Sequence, residues 1–209
     1  MTDEPPPLRL MLYDRTCRGT FGRPGLTAAW QAGSVLYGAL RRIDAWRGVA
    51  SWAEGLDWLL AMSATRPIAE IQYWGHGEWG GVWIDDELLT VAALDEDHAL
   101  FPRLAALRAR LLPGGDARWW FRCCDVFGTQ RGHDFARAWT RFFACRAAGH
   151  THTINFLQSG LHQLGPTDEP AWPVDEGVVP GLAHASPSSW TAPRTITCLH
   201  GDVPPERAR

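Results

Sequence analysis

Short apolar runs alternate along the chain with stretches of helical spacing, and this alternation predicts an α/β protein. The runs that suit buried strands lie at 8–14, 42–49, 69–74, 117–124 and 150–157. Helical spacing extends from Leu26 to Leu40, and Ser51 with Glu54 forms a capping box that opens a second helix. Later helices are expected at 97–112 and around 135–142.

Strands that alternate with helices favour right-handed crossovers and a mainly parallel sheet with both faces covered. The predicted fold is therefore a three-layer α/β/α sandwich. The length of 209 residues suits a single domain over 1–209, with a core at about 8–157. Prolines recur and the helical period fades over about 166–209, so we expect this C-terminal extension to wrap the domain. Its one strand-like run is 193–200.

Composition and charge narrow the function classes. The formal net charge of −3 gives no general electrostatic reason to expect nucleic acid or an anionic membrane as a partner. The N-terminus lacks the basic and apolar regions of a signal peptide, and no apolar run approaches the roughly 18 residues that span a bilayer. The five cysteines include no C-x-x-C pair, which fits a reducing compartment. We therefore expect a cytoplasmic protein, and its oligomeric state stays open.

The candidate site comes from the ends of the predicted strands. The run at 69–74 is followed by "GHG", which places His76 between two glycines, and another run ends at Cys124. Ligands of open α/β sheets bind beyond the carboxyl ends of the strands. His76 and Cys124 are therefore expected to share one edge. Asp14 and Arg15, at the end of the first run, are candidates for substrate binding at the same edge.

A histidine beside a cysteine predicts nucleophilic catalysis. The thiolate is the nucleophile, and a nearby imidazole either lowers its pKa or protonates a leaving amine. The backbone N–H groups of Gly77 and Cys124 are expected to stabilise an oxyanion, and Gly77 is expected to let a substrate carbonyl approach. Alternation along the strand turns Cys123 into the core, so a raised thiolate fraction is expected at Cys124 and a suppressed one at Cys123. This chemistry uses no metal and no other cofactor.

The order of elements resembles the caspase-like cysteine peptidases, because one strand ends in "HG" and the next ends in Cys before a Gly-containing loop and a helix. This group includes caspases, metacaspases, legumain, gingipains and related bacterial domains, and the resemblance covers roughly residues 8–157. The stretch "RCCDVFGTQRGHDFARAW" is also similar to an uncharacterised bacterial branch. The resemblance implies that His76 is the proton donor or base and Cys124 the nucleophile, acting on a peptide or protein substrate.

The chain also departs from the group at the nucleophile. It lacks the QAC-x-G motif of caspases and the C-H-S-G motif of metacaspases. Arg122 stands two residues before Cys124, where metacaspases carry an aspartate that helps to bind basic side chains. An arginine on the same face of the strand is expected to favour an acidic group of the substrate through a bidentate pair.

Two other functions stay open beside a cysteine-dependent hydrolase, for which a peptidase is the first choice. The same cleft suits a catalytically inactive caspase-like module that binds a peptide or protein. His150 and His152 are two residues apart on a predicted strand, which suits a metal-dependent hydrolase, but the sequence offers no clear third ligand.

Overall fold

The computed structural model of the protein describes residues 5–20, 23–182 and 184–204. The described helices are α1 Leu26–Ala39, α2 Trp52–Met62, α3 Phe101–Arg108 and α4 Thr129–Phe143, with a 3-10 turn at Val91–Leu94. The described strands, in chain order, are β1 Leu8–Asp14, β2 Gly19–Thr20, β3 Arg23–Pro24, β4 Ala45–Val49, β5 Ile68–Trp74, β6 His76–Glu78, β7 Gly81–Ile84, β8 Glu87–Leu89, β9 Arg118–Arg122, β10 Arg146–His150, β11 Leu157–Gln158, β12 Leu161–Leu164 and β13 Ile196–Thr197.

Six of these strands form the central sheet, in the order β12-β10-β9-β5-β1-β4. All neighbours run parallel except β12, which is antiparallel to β10 at one edge. The other strands form three small sheets, β2-β3, β6-β7-β8 and β11-β13. The α/β class and the mainly parallel sheet predicted from the sequence are therefore confirmed.

Both faces of the sheet are covered, which explains why the strands read as nearly continuous apolar runs. On one face Trp119 of β9 packs edge-on against Trp139 of α4, in a core that α2 and α3 also enter. On the other face Tyr37 of α1 packs with apolar residues of β1 and β5. Val203 of the C-terminal extension covers Trp120 on that second face, so the extension completes the layer that α1 begins.

The start of α2 follows the predicted capping box. The Ser51 hydroxyl accepts a hydrogen bond from the backbone N–H of Glu54 at 3.1 Å. The Glu54 carboxylate turns back to the N–H of Ala50 at 2.9 Å, one residue earlier than the usual reciprocal bond. This hydrogen bond, opposed by burial and aided by Arg15 and Arg47, lowers the pKa of Glu54 from its ordinary value.

Two predicted strands are corrected. The fifth strand is Arg146–His150 rather than 150–157, and the chain then leaves the sheet and returns as β12. Its small residues give a weak strand signal, but Gly149 lets the strand pack closely against Phe127 and Val126. The run at 193–200 contains only the two-residue strand β13. None of the helices within the described ranges is long and apolar enough to cross a membrane.

Candidate active site

The ends of β5 and β9 meet at one edge of the sheet. The two strands are parallel neighbours, and Trp74 lies opposite Arg122 in the last pair of their register. Just beyond it, a Cβ added to Gly77 would overlap the carbonyl oxygen of Cys124 and lie 2.7 Å from the Cys123 sulfur. Glycine is therefore required because the protein itself fills this space. The expectation that Gly77 leaves room for a substrate carbonyl is not what this packing shows.

A cavity of about 410 Å³ opens at this edge, and both His76 and Cys124 line it. Helix α1 contributes Trp30 and other side chains to the wall, and the C-terminal extension contributes Cys198. Arg122 also lines the cavity. The cavity is largely apolar, and the residues with reactive or charged groups along its wall are two cysteines, a histidine and an arginine.

His76 is exposed, and β6 holds its backbone by pairing it with Trp83 of β7. The Trp30 ring meets the imidazole edge-on, with 5.6 Å between the ring centroids. The Nε2 atom lies 3.5 Å from the sulfur of Cys17, in the loop after β1. Cys17 is not among the residues predicted from the sequence. The rule that ligands bind beyond the carboxyl ends of the strands, which selects Asp14, also applies to the loop that carries Cys17.

The Cys124 thiol has a different partner, since it donates a hydrogen bond of 3.8 Å to the carbonyl oxygen of Ile154. Burial is the main cause that raises the pKa of Cys124, and the Asp125 carboxylate adds to the rise. The resting structure therefore suppresses the Cys124 thiolate, opposite to the expectation from the sequence. Cys123 is 1% exposed in the core, and its pKa is raised well above the ordinary value by burial and by the charges of Cys124 and Asp125.

Arg122 is 3% exposed, and it donates hydrogen bonds to uncharged acceptors. Its guanidinium donates to the carbonyl oxygens of Cys198 at 2.8 Å and His200 at 3.2 Å, to Gln158 Oε1 at 3.0 Å, and to the Tyr37 hydroxyl. The Arg122 Nε–H is buried without a hydrogen-bond partner. None of the hydrogen-bond acceptors that Arg122 has within the described residues is a carboxylate.

Aromatic rings around Arg122 partly stabilise its buried positive charge. The guanidinium carbon of Arg122 lies 4.2 Å from the ring centroid of Trp120 and 4.8 Å from that of Trp74. Cation–π contacts of this kind stabilise a charge that is removed from water. Burial nevertheless lowers the pKa of Arg122, partly offset by Tyr37 and by the charge of Glu70. Among the described residues, the cavity thus contains a cation whose hydrogen bonds all go to uncharged groups.

The two other substrate-binding candidates lie outside the cavity lining. Asp14 is 2% exposed, and its carboxylate accepts hydrogen bonds from the N–H and hydroxyl of Thr16 at 2.7 and 2.6 Å. Arg15 pairs with Glu54 at 3.1 Å. Asp14 therefore stabilises the conformation of the loop that carries Cys17.

The two histidines of the metal hypothesis do not share a strand face, because β10 ends at His150. His150 Nδ1 bonds the carbonyl oxygen of Ser159 at 3.0 Å, and burial lowers the pKa of His150 to about 3. His152 Nδ1 bonds the hydroxyl of Thr151 at 2.9 Å. Across the part of the chain that the structure describes, no group of three or more His, Cys, Asp or Glu side chains is arranged to hold a metal ion.

Asp125 follows Cys124 and is an ionisable group with a shifted pKa. Burial, with a contribution from Glu78, raises the pKa of Asp125 to about 6. Its Oδ1 atom is buried without a hydrogen-bond partner, and its backbone is left-handed, with φ of 39°. Asparagine tolerates this conformation as well as aspartate does.

We predict that Asp125→Asn stabilises the protein at pH 7.5. The folded-state pKa of about 6 lies above the ordinary 3.8, so the wild type loses stability as the pH rises through that window. The gain in unfolding free energy should be on the order of 1–2 kcal/mol, measured by urea denaturation, and should vanish near pH 4. Asp86→Asn, at an exposed turn, is the matched control and should change little. An equal effect of both variants would contradict the prediction.

Comparison of the sequence with known protein families and with characterised proteins gives no match.

Proposed function

We propose that this protein is a cysteine-dependent hydrolase, with a peptide or protein as substrate. In this proposal Cys124 is the nucleophile, and His76 accepts the thiol proton and returns it to the leaving group. The observation that carries the proposal is that both side chains line one cavity at the ends of adjacent parallel strands. The mainly parallel sheet is compatible with the caspase-like group that the sequence resembles. The location of the cavity also follows the general rule for ligand sites in α/β sheets.

The proposed reaction begins when a substrate enters the cavity and the Cys124 thiol leaves its bond to Ile154. His76 takes the thiol proton, the sulfur attacks the scissile carbonyl carbon, and the carbonyl oxygen becomes an oxyanion. The N–H groups of Gly77 and Cys124 are the proposed donors to that oxyanion. The C–N bond then breaks, His76 returns the proton to the leaving amine, and water hydrolyses the thioester.

The proposed reaction needs His76 and Cys124 to exchange their resting partners for each other. In the resting structure His76 bonds Cys17 and Cys124 bonds Ile154. Catalytic hydrogen bonds of apo enzymes are often long or misaligned and tighten only when substrate binds. Substrate binding would also exclude water from the apolar cavity, which strengthens the interaction between the imidazole and the thiolate.

Arg122 supports a preference for an acidic side chain. A buried cation that is hydrogen-bonded to no carboxylate attracts an anionic group that enters the same cavity. Four hydrogen bonds already occupy both terminal nitrogens, and the Nε–H is the donor without a partner. The preference would therefore act through charge and one hydrogen bond, rather than through the bidentate pair expected from the sequence.

The proposal is tested by cleavage of a fluorogenic peptide library. Cys124→Ser and His76→Ala should each lower kcat/KM by about a thousandfold or more, because the nucleophile and its base act as a unit. Cys123→Ala, which removes a thiol from the core beside the site, should keep most of the activity. Peptide binding without cleavage by the wild type would favour the inactive module. Activity that chelators abolish and Cys124→Ser leaves intact would favour a metal-dependent hydrolase.

A further inference from the structure

The loop that carries Cys17 is held in place on both sides. Asp14 accepts two hydrogen bonds from Thr16, immediately before Cys17. The carbonyl oxygen of Cys17 accepts from the N–H of Thr27, in the first turn of α1, at 3.1 Å. A Cβ added to Gly25 would overlap that same carbonyl oxygen, so the loop packs directly on the backbone at the start of α1. These contacts fix the backbone of Cys17 beside His76.

Cys17 and His76 form a thiol–imidazole pair. A contact of 3.5 Å joins Cys17 Sγ to His76 Nε2. Both groups can be reached by solvent, since Cys17 is half-buried and His76 is exposed. Cys124, in contrast, bonds a carbonyl oxygen that cannot accept its proton. In the resting structure Cys17 is therefore a thiol with a proton acceptor within hydrogen-bond distance.

We propose that Cys17 is a site of covalent modification by soft electrophiles, hydroperoxides among them, with His76 as its proton acceptor. The Cys17 proton passes to Nε2, and the thiolate attacks one oxygen of the hydroperoxide. The O–O bond breaks, the sulfur is oxidised by two electrons to a sulfenic acid, and the departing hydroxide or alkoxide takes the proton from His76. With an alkyl iodide the thiolate attacks the carbon, a C–S bond forms as the C–I bond breaks, iodide leaves, and the proton passes from His76 to the solvent.

The modification also bears on the reaction proposed above, and this consequence rests on that function. His76 serves both thiols, so a group attached to Cys17 lies against the imidazole that Cys124 needs. Modification of Cys17 should therefore slow hydrolysis without touching the cavity thiol. Such an arrangement would make hydrolysis sensitive to the oxidants that the cell produces.

The first experiment uses the full chain with Cys124→Ser, so that its outcome does not depend on hydrolysis. Limiting iodoacetamide at pH 7.5, followed by peptide mass mapping, gives the alkylation rate of each thiol. Cys198 is the internal control, because it is also half-buried and lies near the same edge. Cys17 should react up to about tenfold faster than Cys198, since an ordinary cysteine is only about one-tenth thiolate at this pH.

Two variants test whether His76 and the loop cause this reactivity. His76→Ala and Gly25→Ala should each slow Cys17 to about the rate of Cys198 and leave Cys198 unchanged. Brief treatment with hydrogen peroxide and then dimedone should add the dimedone mass to Cys17 in the parent and much less in both variants. A Cys17 rate equal to that of Cys198 in the parent, or unchanged by His76→Ala, overturns the proposal.

Discussion

Gly77→Ala should lower the free energy of unfolding by about 2–4 kcal/mol, which is among the larger costs of a single methyl group. The added Cβ would overlap the Cys124 carbonyl oxygen, and the next atoms in its path belong to Cys123. Neither neighbour is the free end of a flexible side chain, because one is backbone and the other is 1% exposed. The two strand ends would have to separate, and urea denaturation with circular dichroism measures the cost.

The same substitution should lower the kcat/KM of the proposed hydrolysis by about a hundredfold, for a geometric reason. Separation of the strand ends moves His76 away from Cys124, and a displacement of 1 Å costs an enzyme about a hundredfold. Gly165→Ala is the matched control, because its new Cβ would meet the end of the Asp168 side chain, which can turn away. The control should change stability by less than about 1 kcal/mol. A Gly77→Ala protein as stable and active as the control would show that the strand ends do not need this close approach.

The strand ends could be predicted because their sequence signals are local. Strands β1, β5 and β9 are buried on both faces and read as short apolar runs, and each run stops at a polar or glycine residue. The rule that places ligands beyond the carboxyl ends of parallel strands then selects His76 and Cys124 from a chain with eight histidines and five cysteines. Both residues do line one cavity.

Features that depend on distant contacts could not be predicted. The partners of Arg122 include the carbonyl oxygens of Cys198 and His200, more than 70 residues further along the chain, and no local pattern indicates them. The low thiolate fraction of Cys124 has the same origin, since its burial depends on how the chain returns near Ile154. The short strand β10 was misplaced for a related reason, because pairing with β9 and β12 outweighs the weak propensity of its alanines.

Arg122→Leu should release the C-terminal extension from the cavity wall. The substitution removes every hydrogen bond that the guanidinium gives to Cys198, His200 and Gln158, and also the cation–π contact with Trp120. Hydrogen bonds to charged groups contribute about 1.5–3 kcal/mol each, but the relief of burying a cation offsets part of that loss. We expect a net loss of about 2–4 kcal/mol in the free energy of unfolding.

Hydrogen exchange distinguishes this local release from a general loss of stability. The N–H of Cys198 donates to the Phe156 carbonyl oxygen at 2.9 Å, and its exchange should become much faster in Arg122→Leu. Tyr37→Phe is a milder variant. It removes a hydroxyl that lies 2.7 Å from the carbonyl oxygens of both Cys198 and His200 in the C-terminal extension, but it keeps the Arg122 guanidinium. It should cost about 1 kcal/mol and speed the exchange only slightly. Unchanged exchange at Cys198 in Arg122→Leu would show that Arg122 does not hold the extension.

Tyr37→Phe, together with Arg122→Gln, tests whether the charge of Arg122 or only its structural role sets the substrate preference. If the cation in the cavity sets specificity, the wild type and Tyr37→Phe should both prefer library peptides with an acidic side chain, because both keep the guanidinium. Arg122→Gln, which is neutral and polar, should lose that preference while it still donates to part of the same wall. A wild-type preference for basic residues, or an acidic preference that survives in Arg122→Gln, would contradict this role. Arg122 would then serve only to fix the C-terminal extension over the sheet.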